Sequence, residues 1–136
     1  MIQPLDGASP PRFSDGDLTS DGFLGGRLCI LQPRGGYRAA VDPVLLAASV
    51  PAREGESVLE LGCGAGVASL CLGRRVPGLR LAGVERQAAY ADLARRNAAT
   101  NGIPMAVTEG DIAALPAILK AESFCLLYTS PSPRDR

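Results

Sequence analysis

The sequence predicts a doubly wound α/β fold, and three observations carry that prediction. Short apolar runs at 57–61, 79–84 and 104–108 read as strands buried on both faces. Helical patterns at 67–75 and 87–101 separate them, a spacing that implies parallel strands joined by right-handed crossovers. A turn with glycine at alternate positions, Gly62-Cys63-Gly64-Ala65-Gly66, follows the first strand at once. With 136 residues, 46% of them hydrophobic, the chain suffices for one domain with an apolar core.

Each element has its own local cause. Residues 1–24 are rich in Pro, Gly, Ser and Asp and read as a flexible N-terminal tail. Asp15, Asp17 and Asp21 do not make a calcium loop, which needs Gly and Glu where Ser20 and Gly26 stand. Leu28-Cys29-Ile30-Leu31 and Tyr37-Arg38-Ala39 flank Pro33-Arg34-Gly35-Gly36 and read as a short hairpin. Asp42 and Pro43 open a helix that Pro51 ends. The first sheet strand carries Glu60 within an apolar run. The helix over 87–101 places arginines and asparagines on its outer face and closes at Gly102. A last helix is expected over 111–122, interrupted or restarted at Pro116. The sequence contains no internal repeat.

Composition narrows the chemistry. Formal charge is zero and Lys120 is the only lysine, so no basic stripe advertises nucleic acid, and none is excluded. Cys29, Cys63, Cys71 and Cys125 form no C-x-x-C pair and the first residues lack a secretory pattern, which suggests a reducing, cytoplasmic setting. No apolar run approaches the ~18 residues that span a bilayer, so no membrane role is expected. The absence of histidine removes His-based triads and the commonest metal ligand, so no metal is expected either.

The strongest signal is the glycine turn. It brings backbone N–H groups close to a ligand at the carboxyl end of a strand, where ligands of open parallel sheets bind. A helix N-terminus just beyond favours a negative group, such as the carboxylate of a methionine moiety. Dinucleotide sites use G-x-G-x-x-G, which would demand a small residue where Val67 stands, and they do not require the acid Glu60. A nicotinamide oxidoreductase is therefore disfavoured. Glu85 ends the second strand, where an acid holding two ribose hydroxyls is expected, the alternative being an ordinary surface glutamate. Asp111 follows the third strand and suits two compatible roles: accepting from an adenine amine with Ile112 packed on the base, or capping a helix.

Together, Glu60, Gly62, Cys63, Gly64, Ala65, Gly66, Glu85, Asp111 and Ile112 resemble the cofactor site of Rossmann-like S-adenosylmethionine methyltransferases. The resemblance implies that the turn binds the amino acid part, Glu85 the ribose and the Asp111-Ile112 corner the adenine. The upstream stretches Phe23-Leu24-Gly25-Gly26-Arg27-Leu28 and Gly36-Tyr37-Arg38-Ala39-Ala40-Val41-Asp42-Pro43 are similar to the leading segment of bacterial tRNA (adenine-N6)-methyltransferases. In that family the segment helps close the cofactor pocket. The resemblance implies tRNA as substrate of a full-length parent, with glutamine methylation of release factors or an inactive cofactor-binding fragment as alternatives.

Both groups carry Asn-Pro-Pro-Tyr after the fourth strand, where the asparagine oxygen and the next carbonyl steer an amine nitrogen by positioning, without a strong base. Here the chain instead reads Tyr128-Thr129-Ser130-Pro131-Ser132-Pro133. Residues 125–136 resemble translated adapter read-through, so they are expected to be a non-native tail. On this reading 25–124 is the N-terminal part of a methyltransferase domain with an incomplete sheet, and no catalytic residue is assigned within it.

Overall fold

The computed structural model describes residues 12–35 and 42–111 and the strand Cys125–Leu127. Strands β1 (Leu18–Phe23) and β2 (Leu28–Pro33) come first, then α1 (Asp42–Ser49). Next alternate β3 (Ser57–Leu61), α2 (Val67–Arg75), β4 (Arg80–Glu85), α3 (Ala88–Asn101) and β5 (Met105–Glu109), and β6 (Cys125–Leu127) is last.

The main sheet is parallel, with strand order β5-β4-β3-β6. The chain steps outward from β3 to β4 to β5, then returns to the far side of β3. Connections at β3 therefore leave in opposite directions, which opens a crevice at its carboxyl end and makes the turn after it the topological switch point. Alternation sends Val58 and Leu59 to opposite faces: Val58 packs with Val67, Leu70 and Leu72 of α2, while Leu59 packs with Ala82 and Val84. Leu70, Leu72 and Leu93 are completely buried. Each contributes on the order of 1.5–3 kcal/mol by leaving water.

Helix ends are closed by identifiable groups. Gly102, in the left-handed region at φ 65°, ends α3, and the N–H of Ile103 returns to the Ala98 carbonyl at 3.0 Å. Arg75 donates to the carbonyls of Ala47 and Val50 at the end of α1, at 2.9 and 2.7 Å. Arg74 donates to the Asn101 carbonyl at the end of α3, at 2.9 Å.

The structure adds an ordered hairpin near the N-terminus and departs from the sequence expectation at one position of α3. Strand β2 pairs with the upstream segment Leu18–Phe23, while the expected partner Tyr37–Ala39 lies outside the described residues. The reversal between β1 and β2 is at Leu24, Gly25 and Gly26, all with positive φ. Residues 12–24, within the segment expected to be a tail, hold β1 and pack on α3. The Phe13 ring meets Tyr90 edge-on at 5.1 Å, and Arg96 donates to the Phe13 carbonyl and Asp15 carboxylate, each at 3.0 Å. Asp21 accepts from Thr19 and, across the strands, from Gln32 at 2.9 and 3.0 Å. These polar side chains pair with one another, which is how a segment rich in Ser and Asp forms an ordered strand. Finally, Asn97 is not on an outer face but completely buried. The expected helix over 111–122 falls, apart from Asp111, outside the described residues.

Candidate functional site

The site is built around Glu85, the last residue of β4 and only 1% exposed. One carboxylate oxygen, Oε1, accepts the Gly64 N–H at 2.8 Å, and the other, Oε2, accepts the Gln87 N–H at 2.9 Å. A single acid thus ties the glycine turn to the start of α3. Two carboxylate oxygens have about four acceptor positions between them, so capacity remains for two hydroxyl groups. The Glu85 carbonyl also accepts the Gly110 N–H at 2.9 Å, drawing the end of β5 to the same place.

The turn itself is held at both ends. Gly62 and Cys63 both donate to the Val84 carbonyl, at 2.7 and 3.0 Å, and Gly66 donates back to the Cys63 carbonyl at 2.9 Å. Gly62, Gly64 and Gly66 have φ of 71°, 56° and 89°, a region that side chains rarely adopt. A Cβ on Gly64 would point into open space, whereas one on Gly66 would meet Ala94 of α3 at 3.4 Å. Gly64 therefore lines the crevice and Gly66 permits close packing of turn on helix. The first N–H groups of α2 follow directly, with no side-chain cap at Gly66.

Beneath the turn lies Glu60, 2% exposed, accepting the hydroxyl proton of Ser69 in the first turn of α2. Its negative charge at a helix N-terminus opposes the dipole favourably. Cys63 is buried as well, and its thiol is pushed well above the ordinary range by burial and then by the charges of Glu60 and Glu85. It is neutral, not a nucleophile. Gly83 makes room for it: a Cβ there would come within 2.8 Å of the Cys63 sulfur and of Met105 Cε. Asp111 is half-exposed and pairs with Arg86 at 3.9 Å, while Ile112 lies outside the described residues.

The structure thus brings Glu60, Gly62 to Gly66 and Glu85 together at the carboxyl ends of β3 and β4, with Asp111 just past β5. Sequence reasoning missed Ser69, Gly83, Arg86 and Asn97. Of these, Asn97 left a signal, since it falls at helical spacing from Tyr90, Leu93 and Ala94 on the buried stripe of α3. Among the described residues no group of side chains could hold a metal ion, and no helix is long and apolar enough to cross a membrane.

Comparison with known proteins agrees with this geometry. Residues 58–132, more than half the chain, match the family described as methyltransferase domain. The chain belongs to the methyltransferase domain family. S-adenosylmethionine is the cofactor that goes with this assignment. The methyltransferase chain is 36% identical to the tRNA1(Val) (adenine(37)-N6)-methyltransferase of Dickeya chrysanthemi, over 62% of this chain and 34% of that protein. It is 41% identical to the ribosomal RNA small subunit methyltransferase C of Aeromonas hydrophila, over 50% of this chain and 20% of that protein. The match thus spans about a third or less of these relatives. A similar solved structure is the Pyrococcus abyssi tRNA (uracil-54, C5)-methyltransferase in complex with S-adenosyl-L-homocysteine, with TM-score 0.56 and 19% identity, covering 70% of this chain and 24% of that one. It shares the Rossmann-like fold. The open space over Gly64 and the spare acceptor capacity of Glu85 fit such a cofactor.

Proposed function

We propose that this chain is the cofactor-binding part of a methyltransferase that modifies the exocyclic amine of an adenine in tRNA. The observation that carries the cofactor half is Glu85, buried at the switch point with one oxygen on the glycine turn and the other on α3. Gly62, Cys63, Gly64, Ala65 and Gly66 cradle the amino acid part of S-adenosylmethionine, with its carboxylate toward the N-terminus of α2 and Glu60 below. Glu85 takes the ribose hydroxyls. Asp111 accepts from the adenine amine, exchanging its partner Arg86, and Ile112 packs on the base. When bound, the cofactor supplies an electrophilic methyl group. The described residues hold and orient; none is assigned a proton transfer, and the chain has no histidine to perform one.

The substrate half rests on similarity to relatives that, by name, act on tRNA and ribosomal RNA. Both are RNA, which favours tRNA adenine over release-factor glutamine. The cytoplasm, where tRNA is modified, is the corresponding location, and Cys29, Cys63 and Cys71 are free thiols there. The test has two stages. Calorimetry with S-adenosylhomocysteine should show one site per chain. A labelled methyl-transfer assay should then compare unmodified bacterial tRNA, small-subunit ribosomal RNA and release factor, with residues 125–136 present or replaced by the downstream sequence of a relative. Label in a tRNA adenine supports the proposal. Label in ribosomal RNA or in release factor replaces it.

A further inference from the structure

Asn97 makes contacts that the cofactor reading does not use. Completely buried on α3, it spends its amide on two other parts of the fold. Its Oδ1 accepts the Leu31 N–H at 2.8 Å, and its Nδ2 donates to the carbonyls of Leu31 and Ala65, at 3.1 and 2.9 Å. Leu31 lies on the edge of β2 away from β1, and Ala65 is the fourth of the five residues of the glycine turn. One turn of helix later, Asn101 repeats the clasp on the same edge. Its Oδ1 accepts the Cys29 N–H at 2.9 Å and its Nδ2 donates to the Cys29 carbonyl at 2.8 Å. Two asparagines at i and i+4 thus stand in for a neighbouring strand and dock the hairpin on α3. Only the first of them also grips the turn.

That grip orients a particular peptide. The unit joining Ala65 to Gly66 has its carbonyl on Asn97 and its N–H on the Cys63 carbonyl, at 2.9 Å each, so its plane is fixed from both sides. Glu85 holds the preceding residue, Gly64, from the crevice side. We infer that Asn97 is a positioning residue for cofactor binding and that, through its amide, docking of the N-terminal hairpin and occupancy of the glycine turn are coupled. This rests on the cofactor reading of the turn. Coupling between sites is reciprocal, so a ligand in the crevice must tighten the hairpin as much as the hairpin tightens the ligand.

The experiment measures amide hydrogen exchange of the full chain with and without saturating S-adenosylhomocysteine, beside calorimetry of Asn97→Leu and Asn101→Leu. Ligand should slow exchange of the hairpin amides of Cys29 and Leu31, which do not line the crevice. Asn97→Leu should weaken S-adenosylhomocysteine by about 10-fold, the scale of one lost hydrogen bond, and should abolish the ligand-induced slowing at Cys29. Asn101→Leu removes a like pair of bonds to β2 and should change affinity by less than about 3-fold. Equal losses in the two variants would reduce Asn97 to a structural role and overturn the inference. So would ligand binding to the unaltered chain with no slowing in the hairpin, a result that leaves the cofactor reading standing and decides the matter even if Asn97→Leu fails to fold. Failure of the unaltered chain to bind would defeat both.

Discussion

Replacing Glu85 separates what the acid does for the fold from what it does for the cofactor. In the free protein its carboxylate accepts two backbone N–H groups, from Gly64 and Gln87, while buried to 1% exposure. Hydrogen bonds to a charged acceptor contribute about 1.5–3 kcal/mol each. Glu85→Ala deletes both, but it also opens the crevice to water that re-solvates the stranded donors, so the lower end applies, about 3 kcal/mol in all. For a domain of this size that lowers Tm by roughly 10 °C. The proposed ribose contacts would come on top and appear only in binding, as a weakening of S-adenosylhomocysteine by roughly 10-fold to 100-fold. Glu85→Gln sharpens the test. Its amide keeps one accepting oxygen but sets an NH2 group against one of the two donors, so both stability and affinity should fall between wild type and Glu85→Ala. The assay is calorimetry well below each variant's Tm, with circular dichroism confirming the fold. A folded Glu85→Ala variant with unchanged affinity would remove the acid from the ribose role and refute the reasoning.

Other positions give independent tests. Gly64→Val should abolish S-adenosylhomocysteine binding in calorimetry while lowering Tm by roughly 3–10 °C. Nothing lies within 4 Å of the new Cβ, so the branch fills the crevice instead of the core, and the left-handed φ adds a strain of about 1–3 kcal/mol. Gly83→Ala should destabilise the domain by about 1–3 kcal/mol in urea titration without filling the crevice, because its Cβ would come within 2.8 Å of the Cys63 sulfur and Met105. Thiol alkylation followed by peptide mass spectrometry should label exposed Cys29 before Cys63 or Cys71. Burial pushes Cys71 from its ordinary 9.0 up to about 11, and Cys63 also lies above its ordinary value. The same shifts set a pH dependence. An unfolded thiol ionises near 9.0 and the folded one later, so the contribution of Cys71 is complete below pH 9.0 and is lost as pH rises toward about 11. Urea titrations across that window should show stability falling, and less steeply in Cys71→Ala.

What the sequence could reveal depended on whether a residue's role is local. Strand β3 and helix α2 were legible to the residue, because an apolar run, a glycine turn and a renewed helical pattern are each decided by neighbours in the chain. Glu85 was legible by its place at a strand end, although not its double grip on Gly64 and Gln87, which joins segments 21 residues apart. The pairing of β1 with β2 was not legible, because Thr19, Asp21 and Gln32 satisfy one another only after the two strands align. Asn97 shows the limit most clearly. Composition assigns an asparagine among arginines to a wet face, whereas periodicity puts it on the stripe of Tyr90, Leu93 and Ala94, and in the fold periodicity prevails. Burying an amide is costly unless its hydrogen bonds are made, and here the compensating partners are Leu31 and Ala65, remote in sequence. A polar residue on an apolar stripe therefore says that a distant backbone needs it, and the sequence leaves open only which one. Here the backbone is that of the glycine turn, so the residue least like its neighbours on α3 is the one that links the helix to the candidate site.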